Sequence, residues 1–196
     1  MKLYYSPASP YSAKVRMAAH FAGLKLEAVL SDTATDPADL IANNPLGKIP
    51  TLETDDGRSI FDSRSIMHFI DRETGGTLYP QDARHCTDVE VLEALCDGIC
   101  DSLLAIVYEK RTRPEDKQHQ PAMDRQWQKV VRALDHLEAH VPQTGPNLHA
   151  GHFALAAALR YLDLRFEGQW QDGRQRLVDW RETFAQAFPD VALFRS

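Results

Sequence analysis

The spacing of apolar residues changes near residue 80, and this change constrains the fold more than any other feature of the chain. Before that point, short alternating runs that are typical of strands are interspersed with helical spacing. Beyond it the strand-like runs vanish, and apolar residues recur every three or four positions, which indicates helices. With 196 residues the chain is long enough for two small domains. We therefore predict an α/β domain over residues 1–78 and an all-helical domain over residues 86–196.

The first domain is predicted to have the element order βαβαββα. The elements are a strand at 2–5, a helix from about 10 to 21, a strand at 24–30, a short helix near 38–41, strands at 49–54 and 58–61, and a helix beginning near 63. The two adjacent strands flank Asp55-Asp56-Gly57, which is typical of a hairpin because Gly57 stands where a positive φ is needed. The second domain is predicted to contain helices at about 89–108, 123–140, 153–166 and 174–188.

Composition excludes several classes of function. A formal net charge of −6 argues against a nucleic-acid-binding protein, which needs a concentrated basic face. The apolar run from Phe153 to Leu159 is too short to span a membrane, and the N-terminal residues lack the apolar core of a signal peptide. The three cysteines form no paired framework, which fits a reducing compartment. We therefore expect a cytoplasmic protein without membrane or nucleic-acid partners.

Ser9-Pro10 stands between the first strand and the first helix. Serine is a preferred N-cap residue, and proline is favoured at the first helical position because it has no amide hydrogen to leave unpaired. A helix start also presents unpaired N–H groups and the positive end of the helix dipole, which together suit an anion. Ser9 is therefore either a structural cap or a hydroxyl beside a bound anion, and the pattern alone favours the cap.

Ile49-Pro50 stands where the third strand is expected to begin. A proline at this place is a candidate for a cis peptide bond that turns the backbone of Ile49 outward, where its N–H and C=O could pair with an extended peptide. The alternative is a trans proline on an edge strand. The local sequence favours this alternative, because few X-Pro bonds in folded proteins are cis.

Asp62-Ser63 precedes the last helix of the first domain and is predicted to cap it. The same residues could instead bind a ligand. Free amides at the helix start, assisted by the Ser63 hydroxyl, would hold a carboxylate, while Asp62 would pair with an ammonium group. The α-amino acid end of a ligand carries both charges on one carbon. Capping is again the interpretation that the local pattern favours.

Taken together, Ser9-Pro10, the stretch from Asn44 to Leu52 and Asp62-Ser63, in a βαβαββα domain followed by a helical one, resemble the cytosolic glutathione S-transferases, in particular bacterial members of the serine type. The resemblance covers essentially the whole chain, although the helical half matches mainly in its layout. It implies a thioredoxin-like N-terminal domain that binds glutathione, a helical domain that shapes the pocket of the second substrate, a homodimer and a role in detoxification. It also implies a cis bond before Pro50.

The resemblance assigns the binding of glutathione to particular residues. The backbone of Ile49, before cis-Pro50, would pair with the cysteinyl part of the tripeptide. Lys48 would reach the glycyl carboxylate. Asp62 and Ser63 would hold the γ-glutamyl end.

Ser9 falls where serine-type members place the hydroxyl that faces the thiol, so the resemblance makes it the catalytic residue. The pKa of a serine hydroxyl is too high for a base, and we expect Ser9 to act as a hydrogen-bond donor to the thiolate. Tyr5, Ser6 and Tyr11 are the alternative donors. No cysteine precedes Cys86, so a disulfide mechanism of the thioredoxin kind lacks its nucleophile.

Tyr11, Tyr108 and Arg111 are candidates for the pocket of the second substrate. Tyr108 and Arg111 also fall at the end of a long helix, where complementing the C-terminal dipole is the interpretation that we favour. Cys96 and Cys100 lie four residues apart on the same helix and are predicted to pack in the core.

His149 and His152 precede the most apolar of the predicted helices. Many members of the resembled family begin this helix with Ser or Thr and an Asp three residues later, and this chain does not, so the capping of the helix is left open. Two histidines three residues apart could bind a metal, but no third ligand is evident nearby. We expect no metal site.

These observations predict a glutathione transferase that adds glutathione thiolate to a small hydrophobic electrophile, with glutathione as co-substrate and no metal. Two alternatives remain open on the same fold. One is a non-catalytic glutathione-binding or protein-interaction module, since a fold does not determine a function. The other is a glutathione-dependent isomerase or dehalogenase.

Overall fold

Four strands and three helices form the N-terminal domain in the predicted order. The computed structural model describes residues 1–189, so the last seven residues of the predicted helical domain lie outside the described part. The elements are β1 (Lys2–Tyr5), α1 (Pro10–Phe21), β2 (Glu27–Leu30), α2 (Ala38–Asn43), β3 (Thr51–Glu53), β4 (Ser59–Ile60) and α3 (Ser63–Glu73). The prediction of a thioredoxin-like α/β domain is confirmed by this order and by the sheet.

The helical domain contains the four predicted long helices, which are α4 (Ala83–Thr112), α5 (Gln120–Ala139), α6 (Ala150–Phe166) and α7 (Gln175–Ala187). The start of α4 differs most from the prediction, which placed it near Val89. The residues before Val89 are mostly exposed and polar, so they carry no apolar periodicity. Asp82 caps the true start by accepting a hydrogen bond from the amide of His85 at 2.9 Å.

The strand register brings three chain segments to one end of the sheet. The strand order is β2-β1-β3-β4, with β1 parallel to β2 and antiparallel to β3, and with β4 antiparallel to β3. Tyr4 is opposite Thr51, and Leu52 is opposite Ile60. The C-terminal end of β1, the N-terminal end of β3 and the C-terminal end of β4 therefore lie side by side.

Helix α6 forms the centre of the helical domain and packs against both α4 and α1. Its side chains Phe153, Leu155 and Leu159 are fully buried, and the ring of Phe153 lies 5.5 Å from that of Phe21 at the end of α1. Helix α1 therefore packs against α3 of its own domain and against α6 of the helical domain. None of the helices formed by residues 1–189 combines the length and the apolar character needed to cross a bilayer.

A buried group of charges joins α1, α3 and α4. The ammonium group of Lys14, a residue only 1% exposed, lies 2.8 Å from Glu93 Oε1 and 2.8 and 2.9 Å from the carboxylate oxygens of Asp97. Arg64 Nε donates to Asp97 Oδ2 at 3.1 Å, and the Tyr79 hydroxyl donates to Glu93 Oε2 at 2.6 Å. Burial alone would lower the pKa of Lys14, but Asp97 and Glu93 raise it, so the amine stays charged. We call these five residues the interdomain charge cluster.

A histidine pair caps α6, which answers the question that the sequence left open. His152 Nδ1 accepts a hydrogen bond from the amide of His149 at 3.1 Å, and His152 Nε2 lies 3.0 Å from the carbonyl oxygen of Gln143. Because one ring nitrogen accepts and the other must donate, this geometry assigns a neutral His152 with its proton on Nε2. Burial, with a smaller effect of His152, lowers the pKa of His149 to about 4, and burial also lowers the pKa of His152.

The histidine cap is expected to make stability depend on pH between the pKa of about 4 for folded His149 and its ordinary value of 6.5. In that interval the unfolded chain binds protons that the folded chain does not. The free energy of unfolding therefore rises with pH and falls on acidification. We expect a loss of about 1–2 kcal/mol from pH 7 to pH 5, measured by urea unfolding at a series of pH values.

The double variant with His149→Asn and His152→Gln is the matched control for this prediction. Asparagine is a good N-cap, and a glutamine amide both accepts and donates, yet neither side chain titrates. The variant should lose most of the pH dependence between 5 and 7. If the free energy of unfolding of the variant depended on pH as strongly as that of the unmodified protein, other groups would cause the acid sensitivity.

Candidate functional site

The three segments at the end of the sheet carry the residues that the sequence singled out. The loop after β1 leads to Ser9, the residues before β3 are Ile49-Pro50, and the residues after β4 lead to Asp62-Ser63. We call Ser9, Ile49 and Asp62-Ser63 the sheet-end site. Sequence reasoning found these residues separately, and the register of the strands brings their segments together.

Ser9 caps α1, as predicted. Its backbone is extended (φ −80°, ψ 122°), and its Oγ accepts a hydrogen bond from the amide of Ser12 at 3.2 Å. A hydroxyl has one proton to donate besides its two acceptor positions. The cap uses only an acceptor position, so the Ser9 proton remains available to an anion. The structural and the functional interpretation of Ser9 are therefore compatible.

Ile49 presents backbone groups that the sheet does not use. The Ile49–Pro50 peptide bond is cis, as the resemblance implied and contrary to the preference of the local sequence. The pairing of β3 with β1 begins at Thr51, and within residues 1–189 no backbone hydrogen bond involves the N–H or C=O of Ile49. Both groups can therefore pair with an extended peptide.

Asn44 holds the turn that precedes Ile49. Its side chain is 2% exposed and donates to the carbonyl of Lys48 at 3.0 Å and to Thr51 Oγ1 at 3.1 Å, while it accepts from the amide of Leu46 at 3.1 Å. Gly47 has a φ of 60°, a left-handed conformation that favours glycine. Lys48 itself is exposed at the rim of the site.

Asp62 caps α3, which confirms the local prediction. Its Oδ1 accepts a hydrogen bond from the amide of Arg64 at 3.0 Å, and the Phe61–Asp62 bond is cis. Ser63, the first residue of the helix, is 3% exposed. The second carboxylate oxygen of Asp62 and the Ser63 hydroxyl take part in no hydrogen bond between described side chains, so both remain available to a ligand.

Sequence reasoning missed the charged residues that connect the sheet-end site to helix α4. Arg64 follows Ser63 directly and pairs with Asp97, which also binds Lys14 of α1. The signal that could have found them is the four-residue spacing of Glu93, Asp97 and Asp101 on one face of α4. This face of α4 packs against the rest of the protein. Carboxylates that leave water require cationic or hydroxyl partners.

The tyrosines of β1 have different surroundings. The Tyr4 hydroxyl donates to Glu53 Oε2 at 2.9 Å, and burial together with this carboxylate raises the pKa of Tyr4 to about 12. Tyr5 lies under the guanidinium group of Arg16, whose Cζ is 4.5 Å from the ring centre. Tyr5 and Ser6 stay the alternatives to Ser9 for the group that faces a thiol.

Tyr11 extends the site toward α4. Its hydroxyl donates to Asp101 Oδ1, and burial with this hydrogen bond raises its pKa, so its proton is committed to Asp101. Tyr108 lies seven residues after Asp101, on the same face of α4 and about 10 Å further along the helix. Arg111 follows with its Cζ 5.6 Å from the Tyr108 ring centre.

The cysteines pack as predicted. Cys96 and Cys100 are buried in the core, and burial raises the pKa of both thiols. Burial also raises the pKa of Cys86. Cys96 and Cys100 are therefore inert structural cysteines, because they are buried and the thiolate is the reactive form.

Comparison with known proteins identifies the family. A family model described as the N-terminal domain of glutathione S-transferase matches residues 3–77, and one described as the C-terminal domain matches residues 120–183. The protein described as the uncharacterized GST-like protein YibF of Escherichia coli K12 is 31% identical over 203 residues, which cover 98% of this chain and 100% of that protein. The chain belongs to the glutathione S-transferase family.

Solved structures of the family agree with this assignment. A glutathione S-transferase from Methylobacillus flagellatus, solved with glutathione bound, has 33% identity and a TM-score of 0.88 over 97% of this chain and 98% of its own. A family member from Pseudomonas fluorescens Pf-5, solved with S-(propanoic acid)-glutathione, has 32% identity and a TM-score of 0.88 over 100% of this chain and 98% of its own. The thioredoxin-like and helical domains of the family account for the whole described chain.

Proposed function

We propose that the chain is a glutathione transferase that binds glutathione at the sheet-end site and joins its sulfur to an electrophilic carbon. One observation carries the proposal. Two capped helix starts and the unpaired backbone of Ile49 come from three segments that the strand register places together. A γ-linked tripeptide offers a thiol, an amide backbone and an amino-acid end to these three features. The bound glutathione in the relative from Methylobacillus flagellatus supports this choice of ligand.

Each residue of the site has a role in this proposal. The Ile49 backbone pairs with the cysteinyl residue, and the neighbouring Lys48 pairs with the glycyl carboxylate. Ser63 and the amides of α3 bind the γ-glutamyl carboxylate, and Asp62 pairs with its ammonium group. The ligand of the Pseudomonas fluorescens relative, which bears a substituent on sulfur, supports a site that also accommodates the conjugated product.

Ser9 supplies the electrostatic step. A cysteine-like thiol has an ordinary pKa near 8.5, and each unit of lowering requires about 1.4 kcal/mol. A hydrogen bond to a charged group contributes roughly 1.5–3 kcal/mol, and a helix N-terminus about 0.3–1 kcal/mol. Together they lower the thiol pKa by about one to two units after desolvation, which makes thiolate a major species at neutral pH. The thiol proton leaves to solvent, and the thiolate then attacks carbon.

Calorimetry and a turnover assay test the proposal. Titration with millimolar glutathione should give heat of binding. With glutathione and 1-chloro-2,4-dinitrobenzene, the sulfur bonds to the ring carbon that carries chlorine, and chloride leaves with the bonding electrons. Turnover well above the uncatalysed rate is expected. Binding without turnover would favour the non-catalytic module, and the absence of binding would contradict the proposal.

Replacing Asn44 with alanine is expected to weaken glutathione binding about tenfold. The change removes the two hydrogen bonds that the Asn44 amide donates to the Lys48 carbonyl and the Thr51 hydroxyl, so only the Thr51–Lys48 hydrogen bond at 2.8 Å still closes the turn that presents Ile49, and the turn loosens. Calorimetric titration measures the dissociation constant. Asn43→Ala is the matched control, because Asn43 bonds to Tyr4 and Ser59 rather than to this turn. If both variants bound glutathione equally weakly, Asn44 would have no specific role in holding the turn before Ile49.

Homodimerisation, which the resemblance implies, and a cytoplasmic location, which the composition indicates, remain predictions. The chain has a mass of 22.1 kDa. Sedimentation equilibrium distinguishes this mass from twice its value and therefore tests the dimer directly.

A further inference from the structure

Three carboxylates on one face of α4 form contacts that lead toward the start of α1. Glu93, Asp97 and Asp101 are spaced four residues apart and therefore share a face of the helix. Lys14 of α1 binds the first two, and the hydroxyl of Tyr11, one turn earlier in α1, donates to Asp101. The contacts progress in opposite directions along the two helices, so Asp101 is the carboxylate of this face that meets the first turn of α1.

The first turn of α1 carries Ser9, and its own hydrogen bonds do not attach it to the rest of the protein. The first four amides of a helix have no partner within the helix, and helix ends fray. Ser9 is the N-cap, Pro10 has no amide hydrogen, and the amide of Ser12 donates to Ser9 Oγ. These features close the turn on itself. The position of the Ser9 hydroxyl therefore depends on the contacts of its neighbours in the chain.

Two hydrogen bonds attach this turn to the helical domain. Two residues before Ser9, the carbonyl of Pro7 accepts from Arg160 of α6 at 2.8 Å. Two residues after it, the hydroxyl of Tyr11 donates to Asp101 of α4. Ser9 thus stands between one attachment to α6 and another to α4.

The hydrogen bond between Tyr11 and Asp101 is suited to a permanent attachment. Tyr11 is half-buried, and Asp101, although exposed, forms no ion pair with any residue of the described part of the chain. A hydrogen bond to a carboxylate is stronger than one between neutral groups. Burial and this hydrogen bond raise the pKa of Tyr11, so its hydroxyl stays protonated at every pH at which a thiol ionises.

We propose that Tyr11 and Asp101 are positioning residues for Ser9. Their hydrogen bond fixes the first turn of α1 against α4 and so holds the Ser9 hydroxyl where the glutathione sulfur binds. The inference rests on the proposed function, and it gives Tyr11 an indirect role in place of that of a thiol donor. Small displacements of a catalytic group cost much of its effect, so precise sites depend on the contacts that hold such groups.

Replacing Tyr11 with phenylalanine tests the hydrogen bond, because phenylalanine keeps the ring and lacks the hydroxyl. The pKa of the bound glutathione thiol, measured by ultraviolet absorbance of the thiolate, should rise by about 0.5–1 unit, and kcat at pH 6.5 should fall about three- to tenfold. Ile49 and Asp62-Ser63 still bind the tripeptide. The dissociation constant for glutathione, measured by calorimetry at pH 6.5, should therefore change less than about twofold.

Two substitutions of Asp101 separate the hydrogen bond from the charge. Asp101→Asn and Asp101→Ala both remove the negative charge, which itself acts on a nearby anion, but only asparagine keeps an oxygen that accepts from Tyr11. The thiol pKa should be about 0.5–1 unit higher in Asp101→Ala than in Asp101→Asn. Adding Tyr11→Phe to Asp101→Ala should raise it no further, because both changes remove the same hydrogen bond.

Tyr79→Phe is the matched control for a general loss of stability. The Tyr79 hydroxyl also donates to a carboxylate of α4, Glu93, at 2.6 Å. Glu93 lies eight residues before Asp101, about 12 Å away along the helix. This variant should lose stability in urea unfolding and keep the thiol pKa of the unmodified protein. An equal rise of the thiol pKa in Tyr79→Phe and Tyr11→Phe would show a general structural effect and overturn the inference.

The remaining outcomes separate this inference from the proposed function. An unchanged thiol pKa in Tyr11→Phe would overturn the inference but leave the binding of glutathione unaffected. A lower thiol pKa in Asp101→Ala than in Asp101→Asn would also overturn it, because Tyr11, once released from Asp101, would then donate to the thiolate itself. Failure of the unmodified protein to bind glutathione would contradict the proposed function, and the inference with it.

Discussion

Replacing Lys14 with methionine is expected to lower the free energy of unfolding by about 3–5 kcal/mol, because the change leaves two buried carboxylates without their cation. Glu93 and Asp97 are each 4% exposed, and both lie within 2.9 Å of the Lys14 ammonium group. Methionine fills a similar volume, so the loss reports the charge rather than a cavity. Urea unfolding followed by circular dichroism measures it.

Two further variants isolate the electrostatic cause. Lys2→Met removes a partly exposed ion pair to Glu53 at 3.3 Å, and its effect should be small because ion pairs that solvent reaches contribute little. Adding Glu93→Gln and Asp97→Asn to Lys14→Met removes the unpaired charges and should recover at least half of the lost stability. A Lys14→Met protein as stable as the Lys2→Met protein would contradict the importance of the interdomain charge cluster.

The order of elements could be predicted because each element carries its own local pattern. Alternation marked β2, helical spacing marked the long helices, and the cap residues Ser9 and Asp62 marked two helix starts. The first turns of α4 could not be predicted in this way, because exposed residues carry no apolar period.

The contacts that support the site were beyond local reasoning. Lys14 meets Glu93 and Asp97 across 79 and 83 residues of chain, and nothing near Lys14 in sequence indicates these partners. The cis bond before Pro50 required the resemblance, because the local pattern favours trans.

Replacing Ser9 with alanine is expected to raise the pKa of the bound glutathione thiol by about one to two units and to lower kcat/KM about 10- to 100-fold at pH 6.5, where the thiolate is then scarce. The loss should narrow as the pH approaches 9, because the thiol ionises without help there. Ultraviolet absorbance of the thiolate reports the pKa, and the pH profile of kcat/KM with 1-chloro-2,4-dinitrobenzene reports the rate.

Ser9→Ala also removes the cap of α1, which costs about 1 kcal/mol of stability, so a second variant must separate the two roles. Ser9→Gly serves this purpose, since glycine at an N-cap costs only a few tenths of a kcal/mol relative to serine. If the hydroxyl holds the thiolate, the glycine and alanine variants share the same raised thiol pKa although their stabilities differ, and Ser9→Thr retains activity. If Ser9 is only a cap, the glycine variant stays active, and Tyr5 or Ser6 becomes the group to replace next.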